Sequence, residues 1–125
     1  MKKIIKAESA PAPIGPYNHA IMHDNTLYIS GQICMDAATG ELKNEDVKEE
    51  THQVMKNLAA ILKEAKMNFS HVIKSSIFIT DMNKFSEINE VYNQYFNIDY
   101  PARETIEVAA LPKFVNVEIS MIAAI

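Results

Sequence analysis

The sequence has one cysteine, one arginine and no long apolar run, and each scarcity excludes something. Cys34 alone builds neither an internal disulfide framework nor a structural zinc site, and a reducing compartment is its simpler setting. Behind the basic start Met1-Lys2-Lys3-Ile4-Ile5-Lys6 there is no apolar segment of the kind a secretory signal needs; Pro11, Pro13 and Pro16 follow instead. No uncharged stretch is both long enough and free enough of proline to span a bilayer. The expected location is therefore the cytoplasm, with no membrane partner. Lysine and arginine do not cluster beyond Lys2-Lys3, and the formal net charge is −4 with a sequence pI of about 5.5. Nucleic-acid binding draws on neutralising phosphates, so an acidic chain without a basic patch is poorly suited to it.

The shortage of arginine is informative in another way. Routine positive positions are filled by lysine, of which there are eleven, against Arg103 alone. A lysine-biased composition leaves one arginine either by accident or where a planar, permanently charged fork is required.

What is present describes an ordinary globular chain. Its 125 residues suit one domain, 1–125, which buries roughly two thirds of its unfolded surface on folding. With 48% hydrophobic and 22% charged residues, no repeat and no low-complexity tract, a single core needs no staples. Lys2 to Ala7 reads as a short strand and Ala10 to Tyr17 as a loop. Ala20 to His23 and Thr26 to Ile33 read as strands joined by Asp24-Asn25, and Asp36 to Gly40 is a second turn. From Asp46 to Lys66 the period changes: Val47, Thr51, Val54, Leu58, Ile61, Leu62 and Ala65 mark one face of a helix, with acids at its start and lysines near its end. His71 to Thr80 is strand-like. A second helix, capped near Asp81 or Asn83, carries the stripe Phe85, Ile88, Tyr92 and Tyr95, and Pro101 forbids its continuation. Arg103 to Ala110 and Val115 to Ile125 are closing strands joined around Leu111-Pro112. The order implies an α+β fold, a mixed sheet with both helices on one face. The last strand alternates Val115, Val117, Ile119, Met121, Ala123 and Ile125 with Asn116, Glu118, Ser120, Ile122 and Ala124. Its second face is partly apolar too, which suggests an oligomer packed sheet against sheet.

Arg103 and Thr105 project from one face of a strand, roughly 7 Å apart. Glu118 and Ser120 share a face on the final strand. If the two strands pair antiparallel through Leu111-Pro112, Arg103 and Glu118 lie on the same side of the sheet. A structural salt bridge is one reading of the pair. The other leaves Arg103 free to hold a ligand carboxylate through two parallel hydrogen bonds, with Glu118 positioning a water. His19, His23 and Cys34 raise a metal reading, but strand or loop spacing is not the helical i, i+4 pair such sites use. Tyr92, Tyr95 and Phe96 read as core rather than as a base-stacking platform.

These residues resemble a known family. Ile14-Gly15-Pro16-Tyr17, Ser30-Gly31-Gln32, Thr39-Gly40-Glu41, Pro101-Ala102-Arg103, Val108-Ala109-Ala110-Leu111-Pro112 and Val117-Glu118-Ile119 are similar, in register over the whole chain, to the RidA (YjgF) family. The resemblance implies a chorismate-mutase-like α+β fold, a homotrimer whose sheets pack into a barrel, and ligand clefts between subunits. It implies an enamine/imine deaminase that needs no cofactor or metal and releases ammonia from 2-aminoacrylate, 2-iminopropanoate and 2-iminobutanoate to leave 2-keto acids. By position, Arg103 matches the arginine that binds the substrate carboxylate, and Glu118 the acid that orients water. Tyr17, Ser30 and Asn89 match positions lining the cleft. Thr105 stands where many relatives have a cysteine whose backbone contacts the substrate nitrogen. Threonine has no base beside it that would make it a nucleophile, so a backbone role is expected. Glu104, Cys34, Ser120 and a short segment from Asn97 to Tyr100 also depart from the pattern, and Glu104 is expected to face away from Arg103.

Three other functions compete. Some relatives carry the label endoribonuclease and translation inhibitor, which the acidic balance opposes. A non-catalytic module would bind 2-keto acids without turnover. A chorismate mutase would want more than one guanidinium for a dicarboxylate.

Overall fold

The computed structural model describes residues 1–125, the whole sequence. Six strands form one sheet: β1 (Lys2–Ile5), β2 (Ala20–His23), β3 (Thr26–Gln32), β4 (Val72–Ile79), β5 (Ala102–Glu107) and β6 (Val117–Ala124). Helix α1 (Val47–Glu64) lies between β3 and β4 in the chain, and α2 (Phe85–Asn93) between β4 and β5. This is the expected α+β order; the second strand keeps its expected bounds, the fifth begins one residue earlier, and the other strand ends are shortened by up to three residues. No helix is long and apolar enough to cross a membrane.

Local chemistry accounts for both helices. The Asp46 carboxylate accepts from the Glu49 N–H at 2.8 Å and so caps α1, while Glu49 and Glu50 meet the positive end of the dipole. Val54, Met55, Leu58, Ile61 and Leu62 are fully buried against the sheet. Lys66 takes the left-handed conformation, φ 60°, where the helix ends. The start of the second helix divides the expected cap: Asp81 caps a separate short turn, Met82–Lys84, and α2 begins only at Phe85. Tyr95 falls beyond the end of α2 but still packs on the core.

Strand order across the sheet is β1-β2-β3-β6-β4-β5, antiparallel except for the β4–β5 pair. This overturns the expected pairing of the last two strands. β5 runs parallel to β4 at the sheet edge, connected through α2, and β6 inserts between β3 and β4. Hydrophobicity supplies the reason. Val117, Ile119, Met121 and Ala123 are essentially fully buried, so β6 belongs at the centre, whereas β5 carries Arg103, Glu104 and Glu107 and suits an edge.

The odd-numbered positions of β6, and those of β4 from Ser75 onward together with Val72, face the helices and form the core with Leu27, Ile29 and α1. The opposite face has no helix. There Ile4, Tyr28 and Ile106 are about half exposed, and Phe78, Ile122 and Ala124 are partly so. Two polar side chains on the buried face of α1 are fully satisfied. The Glu50 carboxylate, fully buried, accepts from the Asn116 N–H (2.7 Å), the Asn116 side-chain amide (2.8 Å) and the Val117 N–H (2.9 Å). Asn57 donates to the Ile33 and Met35 carbonyls, both at 2.9 Å.

Candidate functional site

Arg103 enters the sheet opposite Ser75, and Thr105 opposite Ile77, which places both on the helix side of the edge strand. Helix α2 runs beneath them. The Arg103 guanidinium lies over the Tyr92 ring at 5.0 Å and the Phe85 ring at 5.7 Å, and Nη1 donates to Asn89 Oδ1 at 2.8 Å. Tyr92 is held in turn by its hydroxyl, which donates to Ser75 Oγ at 2.9 Å; burial pushes its phenol pKa up. Asn89 and Tyr92 are three residues apart on one helical face, so a single turn of α2 supplies both supports. No carboxylate lies within 4.0 Å of Arg103: every ion pair of the chain uses lysine or a histidine. The half-buried fork is preorganised and has no acidic partner. It borders a cleft of about 290 Å³ lined also by Asn89, Tyr92, Asn93, Tyr100 and Pro101. A cleft of about 350 Å³ at the start of α1 carries Glu45, Asp46, Asp81 and Glu87 against Lys84 alone, and would repel an anionic ligand.

Glu118 is elsewhere. It stands opposite Phe78 on β4, one face removed from Met121 and Ser75, and therefore on the side of the sheet away from Arg103. The expectation that Arg103 and Glu118 share a side is thus corrected, and the structural salt bridge between them does not form. The physical cause is the insertion of β4 between their strands with the opposite pleat at the two positions. The Glu118 carboxylate has no hydrogen-bond or ionic partner and is pushed above the usual carboxylate range by burial. It rests on Gly31 so closely that a Cβ at that position would sit 2.5 Å from Oε2. Gly31 also lines a small crevice with Tyr17, His19 and Gln32. Ser30 precedes it; the Ser30 hydroxyl donates to the Asn18 carbonyl at 2.6 Å and its N–H to the His19 carbonyl at 2.9 Å. The Tyr17 hydroxyl accepts from the Ile14 N–H at 3.3 Å.

The site residues read from the sequence therefore fall into two groups. Arg103, Asn89 and Thr105 form one, over α2; Glu118, Ser30 and Tyr17 form the other, around Gly31. Thr105 Oγ1 is the one buried side-chain polar atom without a hydrogen-bond partner. Glu104 faces away from Arg103 as expected, bonded to Ser76 and paired with Lys74 at 3.1 Å. His19, His23 and Cys34 do not converge: both His19 ring nitrogens are engaged by backbone, and His23 is exposed. Burial pushes the Cys34 thiol to about 11, which removes it as a nucleophile. Sequence reasoning missed Phe85 and Tyr92 as supports of Arg103, assigning them to a core stripe. It also missed Gly31, whose signal was a motif glycine inside a strand, the mark of a close approach.

Residues 7–125 match the profile of the family described as Endoribonuclease L-PSP. The chain belongs to this family. Among its relatives is the 2-iminobutanoate/2-iminopropanoate deaminase of Bos taurus, 48% identical over 98% of this chain and 90% of the relative. A protein of the conserved Rid family from Yersinia pestis, of unknown function, superposes with a TM-score of 0.97 at 43% identity over the full length of both chains. TdcF of E. coli, solved with bound serine, has a TM-score of 0.95 at 40% identity over 98% of each chain. The L-PSP/RidA resemblance of the motifs and the α+β sheet with two helices therefore stand on the whole chain rather than on isolated matches.

Proposed function

We propose that this chain is a cytoplasmic enamine/imine deaminase that hydrolyses 2-aminoacrylate, 2-iminopropanoate and 2-iminobutanoate to 2-keto acids and ammonia. Full-length relatives at 44–48% identity bear the name of that activity. The observation that carries the reading to particular residues is the half-buried guanidinium of Arg103, stacked and hydrogen-bonded yet without an acidic partner. Such a fork is preorganised for a carboxylate through two charge-assisted hydrogen bonds. Every proposed substrate has that carboxylate next to the reacting carbon.

The remaining chemistry asks little. 2-Aminoacrylate first moves a proton from its nitrogen, by way of solvent, to C3 and becomes 2-iminopropanoate. The imine carbon at C2 is then electrophilic, water adds to it to give a carbinolamine, and ammonia leaves with the bonding pair while the hydroxyl loses its proton and becomes the ketone oxygen. Glu118, held half-buried with a raised pKa, accepts a proton from the attacking water and returns one to the departing nitrogen. Positioning by Arg103 contributes the larger share. Because Arg103 and Glu118 occupy opposite faces of one sheet, they act together only across an interface between copies. The bare apolar face bearing Tyr28, Ile106 and Ile122 is suited to pack against a second copy, and a homotrimer with clefts between subunits is the assembly we propose. Asn89, Thr105, Tyr17 and Ser30 line the completed cleft. No metal or cofactor has a part in this scheme.

The test generates 2-aminoacrylate in situ from serine with a dehydratase and follows imine loss and ammonia release. Arg103→Lys keeps the charge but loses the fork, the Asn89 bond and the stack. It should lower kcat/KM by roughly 10- to 100-fold, the worth of one charge-assisted hydrogen bond. Wild-type rates equal to buffer would refute the deaminase, and 2-keto-acid binding without turnover would then favour a metabolite-binding module.

A further inference from the structure

We propose that His19 is a positioning residue for the Glu118 half of the site, acting through the segment that carries Tyr17. Residues 7–17 hold three of the chain's prolines and form no helix or strand. Such a segment has few backbone bonds of its own: Ala10 N–H donates to the Ala7 carbonyl at 3.2 Å, and Tyr17 N–H to the Gly15 carbonyl at 2.9 Å. Side-chain hydrogen bonds to residues 7–13 come from His19 alone.

The imidazole is buried, 2% exposed, and spans the base of this segment. Nδ1 accepts from the Ala7 N–H at 3.0 Å, and Nε2 lies 2.6 Å from the Pro11 carbonyl oxygen. The partners fix the tautomer. An amide N–H only donates and a carbonyl only accepts, so Nδ1 must be bare and Nε2 must carry the proton. A neutral ring presenting one acceptor and one donor is thus required by the backbone on both sides. The same residue grips the sheet: its carbonyl accepts from the Ser30 N–H at 2.9 Å, and that of Asn18 from the Ser30 hydroxyl at 2.6 Å. His19 therefore ties the start of the segment to the strand that bears Ser30 and Gly31, on which the Glu118 carboxylate rests. Tyr17, two residues away, lines the same crevice as His19 and Gly31. Loss of the clamp frees Pro11 to Tyr17 and shifts the tyrosine ring within the crevice it shares with Gly31, the residue on which Glu118 rests.

The functional arm of this proposal rests on the deaminase reading; the mechanical arm does not. The experiment compares wild type, His19→Ala, His19→Gln, Tyr17→Ala and the His19→Ala/Tyr17→Ala pair, in steady-state imine hydrolysis and in amide exchange read by mass spectrometry on peptides covering residues 6–19. Gln offers a carbonyl oxygen and an amide N–H in one side chain and can reproduce the clamp. Expected are faster exchange over residues 7–17 in His19→Ala, restored by Gln, and a fall of at least tenfold in kcat/KM, also restored by Gln. The double variant should be no worse than Tyr17→Ala, because both changes act through one group. Unchanged exchange in His19→Ala overturns the proposal whether or not the protein is active. Faster exchange with unchanged kcat/KM, or losses that multiply in the double variant, overturns the positioning role while leaving the deaminase intact. An inactive wild type refutes the deaminase reading, and the functional arm falls with it.

Discussion

Replacing Gly31 with alanine should damage catalysis while leaving the fold almost untouched. The added Cβ would lie 2.5 Å from Glu118 Oε2, 2.8 Å from Cδ and 3.1 Å from Cγ. Attractive contacts between such atoms lie near 3.5 Å, so the carboxylate must retreat by about 1 Å. What it meets is the end of a flexible side chain, and Gly31 has no positive φ, so the backbone accepts alanine. The cost of the shift is set against the gain of replacing a strand glycine, about 0.5–1 kcal/mol, and the net stability change should lie within about 1 kcal/mol. Catalysis has no such tolerance: a 1 Å misplacement of an acting group costs on the order of 10²-fold. Imine hydrolysis and thermal unfolding are measured on the same preparation, with Gly40→Ala as the converse control. Gly40 has φ 74° and open space beyond its Cα, so alanine there should cost about 1 kcal/mol of stability and nothing in rate. Wild-type kcat/KM in Gly31→Ala would refute the assignment of Glu118 to the chemistry. An unfolding midpoint lowered by 10 °C or more, about 2 kcal/mol or above for a chain this size, would refute the packing argument.

Glu118 also predicts a pH signature. Burial raises its folded pKa above the unfolded value, so the native state binds its proton more tightly, and the stability it contributes is full below the ordinary carboxylate pKa and lost as pH rises through the raised one. Glu118→Gln should therefore melt higher than wild type at pH 7, with the difference vanishing near pH 4, while kcat/KM collapses; a wild-type acid limb at the ordinary carboxylate pKa would contradict the shift. Glu50→Ala strands three donors at the start of β6 and should lower the unfolding free energy by about 2–4 kcal/mol in a denaturant titration. A loss below 1 kcal/mol there would mean that water replaces the carboxylate.

Helix α1 was legible because its signals are local: an acid cap, an apolar stripe and lysines at the end all lie within twenty residues of chain. The alternation of β6 was legible for the same reason, and the apolar character of its second face continues in the exposed Tyr28 on neighbouring β3 and in Ile106 on the edge strand. The pairing of β5 with β6 was not legible. Adjacency in sequence favours a hairpin, and only the competition among strands for the buried centre, which β6 wins by its uninterrupted apolar face, sends β5 to the edge. His19 shows the same limit on a smaller scale. Its sequence raised a metal reading that the spacing disfavoured and gave no sign of a backbone clamp, because Ala7 and Pro11 are brought to its ring by a loop whose path no periodicity encodes.

Composition and motif spacing by themselves determined the α+β class, the two helices, the family, and the singularity of Arg103, since each depends on residue type and order alone. Tertiary structure alone decided that Arg103 has no acidic partner, that Tyr92, Phe85 and Asn89 hold its fork, and that Glu118 rests on Gly31 across the sheet. Those facts depend on which strand lies between which and on the pleat at each position. A one-residue difference in register reverses the face a side chain occupies, and that reversal separates the two halves of the site.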